Sequence, residues 1–135
     1  MKEQAYIFDV DGTLAKMDGR SPYDWERVGE DKPNLPVVKI AKTLMAKNAI
    51  IIVTGRDGSC EQATRDWLME HGIAYDEFHI RPPGNVEKDS VVKKRIFEDI
   101  SKRYEIIAVF DDRDQVVQMW RSLGLTCLQV DYGNF

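Results

Sequence analysis

Two hydrophobic patterns alternate along the chain. Short apolar runs rich in Ile, Val and Phe are typical of strands that are buried on both faces of a parallel sheet. Between them, apolar residues recur at the three- to four-residue spacing of an amphipathic helix, as in Val37, Ile40, Ala41 and Leu44. The pattern predicts strands at about residues 5–10, 49–53, 77–80, 106–110 and 127–130, and helices at about 36–47, 59–71 and 90–104, with a fourth helix that ends at Gly124.

Strands that alternate with helices in this order predict an α/β fold, a Rossmann-like parallel sheet with helices on both faces. The stretch 15–36 breaks the pattern, because it is rich in Gly and Pro and, at roughly 20 residues, is longer than an ordinary strand-to-helix connection. We expect it to form a small flap, or minimal cap, beside the end of the first strand. No repeat, low-complexity tract or linker divides the sequence, so residues 1–135 are predicted to form a single domain.

The composition of the chain argues against several functions and locations. A net charge of −4 argues against coating of long nucleic acid by charge alone, although a local arginine cluster could still grip a nucleic-acid end. Cys60 and Cys127 have no metal-ligand spacing and are predicted to be reduced thiols. No apolar run approaches the ~20 residues that span a bilayer, and the N-terminus leads directly into a strand. We therefore expect a cytoplasmic protein without a signal peptide or membrane contact.

Polar side chains follow three of the predicted strands at the point where each strand ends. These residues are Asp9, Asp11, Thr54, Gly55, Arg56, Asp111 and Asp112. Because the carboxyl ends of parallel strands meet at one edge of a sheet, we expect these residues to lie close together. Several carboxylates in one place cannot all stay ionised without a cation. An all-oxygen ligand set without His or Cys indicates Mg²⁺.

Each of these acidic residues, taken alone, could equally be a turn former or a helix cap. Their joint occurrence at three strand ends favours a functional site. Lys93 fits that site if Asp89 or Ser90 caps the third helix. A lysine in the first turns of a helix is unfavourable, because its positive charge opposes the helix dipole. At this position, however, the Lys93 ammonium could neutralise the charge of a phosphoryl oxygen. The alternative is a solvated lysine beside Lys94 and Arg95.

The residues at these strand ends resemble the four motifs of the haloacid-dehalogenase-type phosphatases. The matching residues are Asp9-Val10-Asp11-Gly12-Thr13, Thr54, Lys93 and Asp111-Asp112. Within that superfamily, residues 7–24, 88–93, 111–121 and 129–135 resemble the phosphatase half of the bacteriophage polynucleotide kinase/3′-phosphatases, so the similarity covers nearly the whole chain. The 135 residues contain no Gly-Lys-Ser/Thr phosphate loop of a kinase. The segment after Arg56 looks shorter than in that family, which leaves contacts near Arg65 open.

The resemblance implies a Mg²⁺-dependent polynucleotide 3′-phosphatase that works through an aspartyl phosphate. Asp9 would be the nucleophile, and Asp11 would act first as general acid and then as general base. Thr54 and Lys93 would hold the phosphoryl oxygens, with Asp89 orienting Lys93. The resemblance also implies substrate-binding positions at Arg20, Arg56, Asp89, Thr13 and Gly55. It implies metal-binding positions at Asp9, Asp111, Asp112 and the main-chain carbonyl of Asp11. Of Asp111 and Asp112, Asp112 is the favoured direct ligand.

DNA or RNA 3′-phosphate ends are the substrates that the resemblance implies, in nucleic-acid end healing, and an open site under a minimal cap fits such ends. The location would be the host cytoplasm if the chain is phage-encoded. Whether the chain forms a homodimer, and whether separate chains supply 5′-kinase and ligase activities, stays open. Trp25 is the predicted base-stacking residue, whereas Trp67 and Trp120 fall on apolar helix faces and are predicted to be core.

Two other functions stay open at this point. The first is a capless phosphatase of a small phosphomonoester, such as a nucleotide. The second is a non-enzymatic, phospho-accepting receiver-like domain, which also combines acidic residues, Thr or Ser, and Lys on a parallel sheet. Receivers lack an acid/base two residues after the nucleophile, so Asp11 favours an enzyme.

Overall fold

The computed structural model describes residues 1–16 and 24–135, without the side chains of Trp25 and Glu26. Its larger sheet has five parallel strands in the order β5-β4-β1-β6-β7. These strands are β1 (Glu3–Phe8), β4 (Ala49–Asp57), β5 (Glu77–Arg81), β6 (Tyr104–Asp111) and β7 (Cys127–Gln129). The smaller sheet pairs β2 (Ala15–Lys16) with β3 (Lys32–Pro33) in antiparallel orientation. The helices are α1 (Leu35–Leu44), α2 (Glu61–Glu70), α3 (Asp89–Ile100) and α4 (Asp114–Ser122).

Each face of the large sheet is covered by two helices. Side chains of β4 alternate between the faces: Ile50 and Ile52 pack with α1 and α2, and Ile51 and Val53 pack in the other core with α3 and α4. Burial on both faces explains why the strand is continuously apolar. Trp67 and Trp120 are buried in the two cores, as the helix patterns predict.

The first strand of the chain lies at the centre of the sheet, between β4 and β6. The strand order reverses on either side of β1, and ligands of open α/β sheets bind at the carboxyl ends of the strands at such a point. None of the helices in the described ranges is long and apolar enough to cross a membrane.

Several boundaries differ from the hydrophobic pattern. β1 spans 3–8 and not 5–10, so Asp9 and Val10 follow the strand. β4 continues four residues beyond Val53, because its polar end pairs with β5 after a register shift, with Asp57 opposite Arg81. α3 ends at Ile100 and not near residue 104, because Tyr104 already pairs with Glu3 of β1.

Smaller differences concern helix starts and the stretch 15–36. A 3₁₀ turn at Gly58–Cys60 precedes α2, and the Asp57 side chain accepts a hydrogen bond from Ser59 N there. The parts of 15–36 that the structure describes are more regular than predicted, with β2, a 3₁₀ helix at Trp25–Glu30, β3 and the start of α1. Residues 17–23, including Arg20, lie outside the described residues, and the flap stays a prediction.

Candidate active site

The chain turns sharply after β1 and carries Asp9 to the edge of the sheet. Asp9 N donates to Phe110 O at 3.0 Å, and the turn closes through the Val10 carbonyl, which accepts from Thr13 N at 3.1 Å. Gly12 has a positive φ of 79°, which suits glycine. A Cβ at Gly12 would lie 2.0 Å from Asp112 Oδ2, so the turn can approach the end of β6 only without a side chain there.

Three buried carboxylates meet at this edge. Asp9, Asp111 and Asp112 each place one carboxylate oxygen within 4.8 Å of the other two. Among the residues that the structure describes, this is the acidic cluster that could hold a metal ion. Lys93, also buried, places Nζ 2.9 Å from Asp9 Oδ1 and 2.9 Å from Asp111 Oδ2. Thr13 Oγ1 donates to Asp112 Oδ1 at 3.2 Å. The predicted convergence of Asp9, Lys93, Asp111 and Asp112 is thus present.

The cluster holds more negative charge than one lysine balances. Burial, and then repulsion from Asp111, raise the pKa of Asp9 well above its usual value, against the attraction of Lys93. The same two causes raise the pKa of Asp112 to about 6. Burial alone would lower the pKa of Lys93, but the Asp111 and Asp9 carboxylates outweigh it and raise that pKa. Three buried carboxylates with only oxygen donors therefore fit a hard divalent cation.

Asp111 is the more internally bonded member of the Asp111–Asp112 pair. Its Oδ2 accepts from Lys93 and from Trp120 Nε1 at 3.2 Å, and its Oδ1 accepts from Asp112 N at 2.8 Å. The Asp112 carboxylate has Thr13 as its hydrogen-bond donor and lies against Gly12. These contacts favour Asp112 as the direct ligand, which stays a prediction.

Arg56, which is predicted to contact substrate, lines the cleft and is bonded to protein side chains. Its buried guanidinium donates from Nη2 to Asp11 Oδ1 at 2.7 Å and to Asp31 Oδ2 at 3.0 Å, and from Nη1 to Thr64 Oγ1 at 3.0 Å. A second contact, from Nε, also reaches the Asp11 carboxylate at 3.1 Å. The two-nitrogen contact fixes the plane of the Asp11 carboxylate.

Asp31 is a site residue that sequence reasoning missed. It is buried at the end of the 3₁₀ helix, and its carbonyl accepts from Trp67 Nε1 at 2.8 Å, which ties this segment to α2. Its side chain shares the Arg56 guanidinium with Asp11. An acidic residue between short polar segments gives no periodic signal, so only the fold reveals the pairing.

Asp89, which is predicted to orient Lys93, is bonded to two arginines in this structure. It occupies the first turn of α3, with Lys88 and neither Asp89 nor Ser90 at the N-cap. Its carboxylate accepts from Arg81 Nη2 at 2.5 Å and from Arg113 Nη1 at 3.1 Å. Its negative charge still contributes to the raised pKa of Lys93, after Asp111 and Asp9, so the influence on Lys93 is electrostatic.

Arg81, at the end of β5, organises the segment 82–88 and was missed by sequence reasoning. Besides Asp89 it donates from Nε to Gly55 O at 2.8 Å, and from Nη1 to Asn85 Oδ1 at 3.0 Å and to Glu87 O. A Cβ at Gly55 would lie 2.2 Å from Asp89 Oδ1, so Gly55 provides space for this carboxylate. The segment is therefore anchored to β4 beside the acidic cluster.

A cleft of about 1160 Å³ opens above the acidic cluster. Its described lining includes Asp9, Asp11, Arg56, Lys93, Asp111 and Asp112, part of the segment 81–89, and Arg113, Gln115 and Phe135. Thr54, which is predicted to hold the phosphoryl oxygens, and Thr13, a predicted substrate-binding residue, are buried outside that lining. Thr54 Oγ1 accepts from Arg56 N at 3.2 Å. The volume exceeds the needs of a phosphate, so the cleft has room for the organic part of a ligand.

Residues 3–135 match the family described as polynucleotide kinase PNKP phosphatase domain. Over 127 residues the chain is 39% identical to a protein of Autographa californica nuclear polyhedrosis virus that is named as a bifunctional polynucleotide kinase/RNA ligase; the match covers 90% of this chain and 18% of the viral protein.

Solved structures agree with the family match. Two structures of a Pnkp1/Rnl/Hen1 complex, one named as an RNA repair complex, superpose with a TM-score of 0.96 and 36% identity over 99% of this chain. This chain covers 48% and 44% of those chains, so it spans less than half of their length. A class C acid phosphatase from Bacillus anthracis with tungstate bound has the same fold, with a TM-score of 0.74 and 16% identity over 99% of this chain and 68% of that one.

Proposed function

This chain belongs to the family of polynucleotide kinase (PNKP) phosphatase domains, a branch of the haloacid-dehalogenase-type phosphatases, and from that membership we propose that it removes the 3′-phosphate from nucleic-acid ends. The observation that carries the proposal is the pair formed by Asp9 and Asp11. Asp9 is buried beside Lys93 at the floor of the cleft, and Asp11, two residues later, is held by Arg56 at its wall.

The reaction takes place in two steps. An oxygen of the Asp9 carboxylate attacks phosphorus, and the bond from phosphorus to the sugar oxygen breaks while protonated Asp11 gives its proton to that oxygen. The free 3′-hydroxyl end leaves, and Asp9 carries the phosphoryl group. Asp11, now a carboxylate, takes a proton from a water molecule that attacks phosphorus, which releases inorganic phosphate and regenerates Asp9.

The surrounding side chains support this chemistry without forming bonds to phosphorus. Arg56, with Asp31 as its second carboxylate partner, holds the Asp11 side chain in one orientation at the cleft. The Lys93 ammonium, 2.9 Å from Asp9, provides a positive charge beside the phosphoryl oxygens. Thr54 remains the proposed hydroxyl donor to those oxygens, which requires its buried side chain to reach the cleft.

Mg²⁺ is the proposed cofactor, because the donor set is all oxygen and the buried carboxylates repel one another. Asp9, Asp112 and the main-chain carbonyl of Asp11 would hold it, with Asp111 behind Asp112. When bound, the cation offsets the carboxylate charge and withdraws negative charge from the phosphoryl oxygens.

The proposed substrates are 3′-phosphorylated polynucleotide ends, in repair together with kinase and ligase activities on other polypeptide segments. The relatives support this through their names, which include a polynucleotide kinase/RNA ligase and an RNA repair complex. RNA ends are therefore the first substrate to test, with DNA ends beside them.

The test measures phosphate release from matched RNA and DNA oligonucleotides with a 3′-phosphate, with and without Mg²⁺. Nucleoside 3′-monophosphates, sugar phosphates and an aryl phosphate serve as comparison substrates. We expect the oligonucleotides to have the highest kcat/KM, chelation to remove the activity, and Asp9→Asn to abolish turnover because an amide cannot act as the nucleophile.

Three outcomes would contradict the proposal or the role it gives to Asp9. A higher kcat/KM on nucleotides or sugar phosphates would identify a phosphatase of small esters. A long-lived phosphoprotein after exposure to acetyl phosphate, without turnover, would identify a receiver-like domain. Residual activity of Asp9→Asn within tenfold of the wild type, about 1.4 kcal/mol in barrier, would remove Asp9 from the nucleophile's role.

A further inference from the structure

Two exposed apolar side chains line the cleft that contains Asp9. Val86, in the segment anchored by Arg81, is 96% exposed, and Phe135 is 63% exposed. Single exposed apolar residues are ordinary on protein surfaces. These two, however, border the volume that must receive the organic part of a phosphate ester.

We propose that Phe135, assisted by Val86, forms a stacking surface for the nucleobase of the 3′-terminal nucleotide. This inference rests on the proposed polynucleotide 3′-phosphatase function and names the part of the substrate that the cleft recognises. It differs from the sequence expectation, which placed base stacking at Trp25.

The Phe135 ring is held in a fixed relation to the acidic cluster. Arg113 directly follows Asp112; its Cζ lies 5.1 Å from the ring centroid, and its Nε donates to Phe135 O at 2.9 Å. Such a cation contact lies over one face of the ring and restrains its orientation. The ring is therefore oriented while more than half of the residue remains accessible.

Gly133 strengthens this attachment. Its carbonyl accepts from Asp114 N at 2.9 Å, and a Cβ at Gly133 would lie only 1.8 Å from Asp112 O. The segment 133–135 thus lies directly against the backbone of Asp112 and Arg113. Movement of the ring relative to the phosphate-binding end of the cleft is consequently restricted.

A nucleobase is the occupant that fits the chemistry of the cleft. Lys88, Lys93 and Arg113 are cationic groups in the cleft lining that can face phosphates, whereas Phe135 provides an uncharged aromatic surface. Every base has a planar π-face, so stacking on phenylalanine holds the terminal nucleotide without reading its sequence. The terminal base is the aromatic group nearest to the reacting phosphate along the substrate.

Val86 has almost no contacts of its own, so its methyl groups are available to a ligand. The segment 82–88 is fixed at Gly84 N, which donates to Asp57 Oδ1 at 2.9 Å, and at Asn85 by Arg81. We expect Val86 to contribute a smaller apolar contact than the ring, because its side chain has less area and no π-face.

The experiment compares two oligonucleotides that differ only at the 3′-terminal residue, which carries either a normal base or an abasic tetrahydrofuran, each with a 3′-phosphate. The wild-type chain should favour the base-bearing substrate by about tenfold in kcat/KM. Phe135→Ala should lose about ten times more on the base-bearing substrate than on the abasic one, and Phe135→Trp should keep the preference. Tyr132→Ala is the matched control, because Tyr132 is a 97% exposed aromatic residue that directly precedes the segment 133–135 and lies outside the cleft lining.

A spectroscopic measurement accompanies the kinetics. In an Asp9→Asn background, a terminal 2-aminopurine on a 3′-phosphorylated oligonucleotide should lose fluorescence when it stacks on binding. Adding Phe135→Ala should restore that fluorescence at saturating protein, and adding Tyr132→Ala should leave the quenching unchanged.

The outcomes separate this inference from the proposed function. Equal wild-type rates on the two oligonucleotides, or equal losses on both in Phe135→Ala, would overturn the stacking surface and leave the polynucleotide phosphatase intact. Hydrolysis of the aryl phosphate but of neither oligonucleotide would overturn the proposed function and the stacking surface together.

Discussion

The Arg56 guanidinium is buried and shared between Asp11 and Asp31. We predict that Arg56→Lys lowers kcat by at least about tenfold and leaves KM nearly unchanged, since an ammonium cannot fix the plane of a carboxylate. The loss would be part of the roughly 10²–10⁴-fold contribution of acid–base catalysis. Steady-state kinetics on a 3′-phosphorylated oligonucleotide measures both constants.

Comparing substrates with different leaving groups distinguishes two roles of Arg56, the positioning of Asp11 and a direct contact with substrate. An aryl phosphate has an acidic leaving group and needs the Asp11 proton less, so Arg56→Lys should affect it less than the oligonucleotide. A rise in KM with kcat preserved would return Arg56 to the direct substrate contact that the sequence predicts. The control for loss of a guanidinium elsewhere is Arg65→Lys. The Arg65 guanidinium contacts Glu61 at 2.8 Å and Tyr75 at 2.9 Å on the surface of α2.

At the residue scale, the sequence could identify the acids but not all their partners. Asp9, Asp11, Asp111 and Asp112 follow apolar strands, and parallel strands bring their carboxyl ends together, so pattern alone indicates a cluster. The direction of a guanidinium depends on which carboxylate is buried nearby. For Arg56 that carboxylate is Asp31, 25 residues earlier and outside any periodic element.

The turn after β1 holds Gly12 at a positive φ of 79° and against Asp112 Oδ2. We predict that Gly12→Ala raises the Mg²⁺ concentration needed for half-maximal activity, because the new methyl group must displace the Asp112 carboxylate. Titration of activity and of direct Mg²⁺ binding by calorimetry provides the measurement.

A variant at a second glycine serves as the control that distinguishes backbone strain from the steric clash with Asp112. Gly124, after α4, has a φ of 83° and open space around its Cβ position. Gly124→Ala should carry only the cost of the left-handed conformation, about 1–2 kcal/mol of stability, and keep the Mg²⁺ requirement of the wild type. An unchanged Mg²⁺ requirement in Gly12→Ala would show that Asp112 tolerates displacement.

Glu77 links β5 to the residue that precedes β6. Its carboxylate accepts from Arg103 Nε at 2.9 Å and Nη2 at 2.8 Å, and it lies 2.8 Å from His79 Nε2. Hydrogen bonds, first from Arg103, lower the pKa of Glu77 to about 2. A carboxyl whose pKa is lower in the folded state stabilises the fold above its unfolded pKa, and that contribution disappears as pH falls through the folded value.

We therefore predict that Glu77→Gln loses free energy of unfolding at pH 6 and converges with the wild type as pH falls from about 4.5 to about 2. Urea unfolding across that range measures the difference. Glu70→Gln, at an exposed position at the end of α2, is the control. A constant difference between wild type and Glu77→Gln at all pH values would assign the loss to packing and not to charge.

At the element scale, the apolar pattern predicts strand centres better than strand ends. Val53 is the last apolar residue of its run, yet β4 continues to Asp57 through paired polar residues. Those residues lie where the strand reaches the site, so they are polar for the chemistry there and not because the strand has ended. Hydrophobicity cannot distinguish a polar strand end from a loop.

The whole chain carries a net charge of −4, so long-range attraction to a polyanion is absent. We predict a shallow salt dependence of oligonucleotide binding, equivalent to one or two neutralised backbone phosphates beyond the terminal one. Lengthening the oligonucleotide beyond a few nucleotides should barely change kcat/KM, because the described contacts lie in one cleft. Measurement of kcat/KM against ionic strength and chain length tests both statements. A steep salt slope with gains that continue past about ten nucleotides would indicate an extended basic track.

The central place of β1 determines when the molecule can become active. Asp9 is made 84 positions before Lys93, its partner in the buried ion pair. The second neighbour of β1, β6, is made after β4, so the central strand stays half-paired until residues 104–111 have been made. Closing contacts of such long sequence separation is slow, and an unpaired apolar strand is prone to aggregate. A nascent chain has no partly active form, because the contacts that complete the sheet are the same contacts that assemble the nucleophile with its lysine.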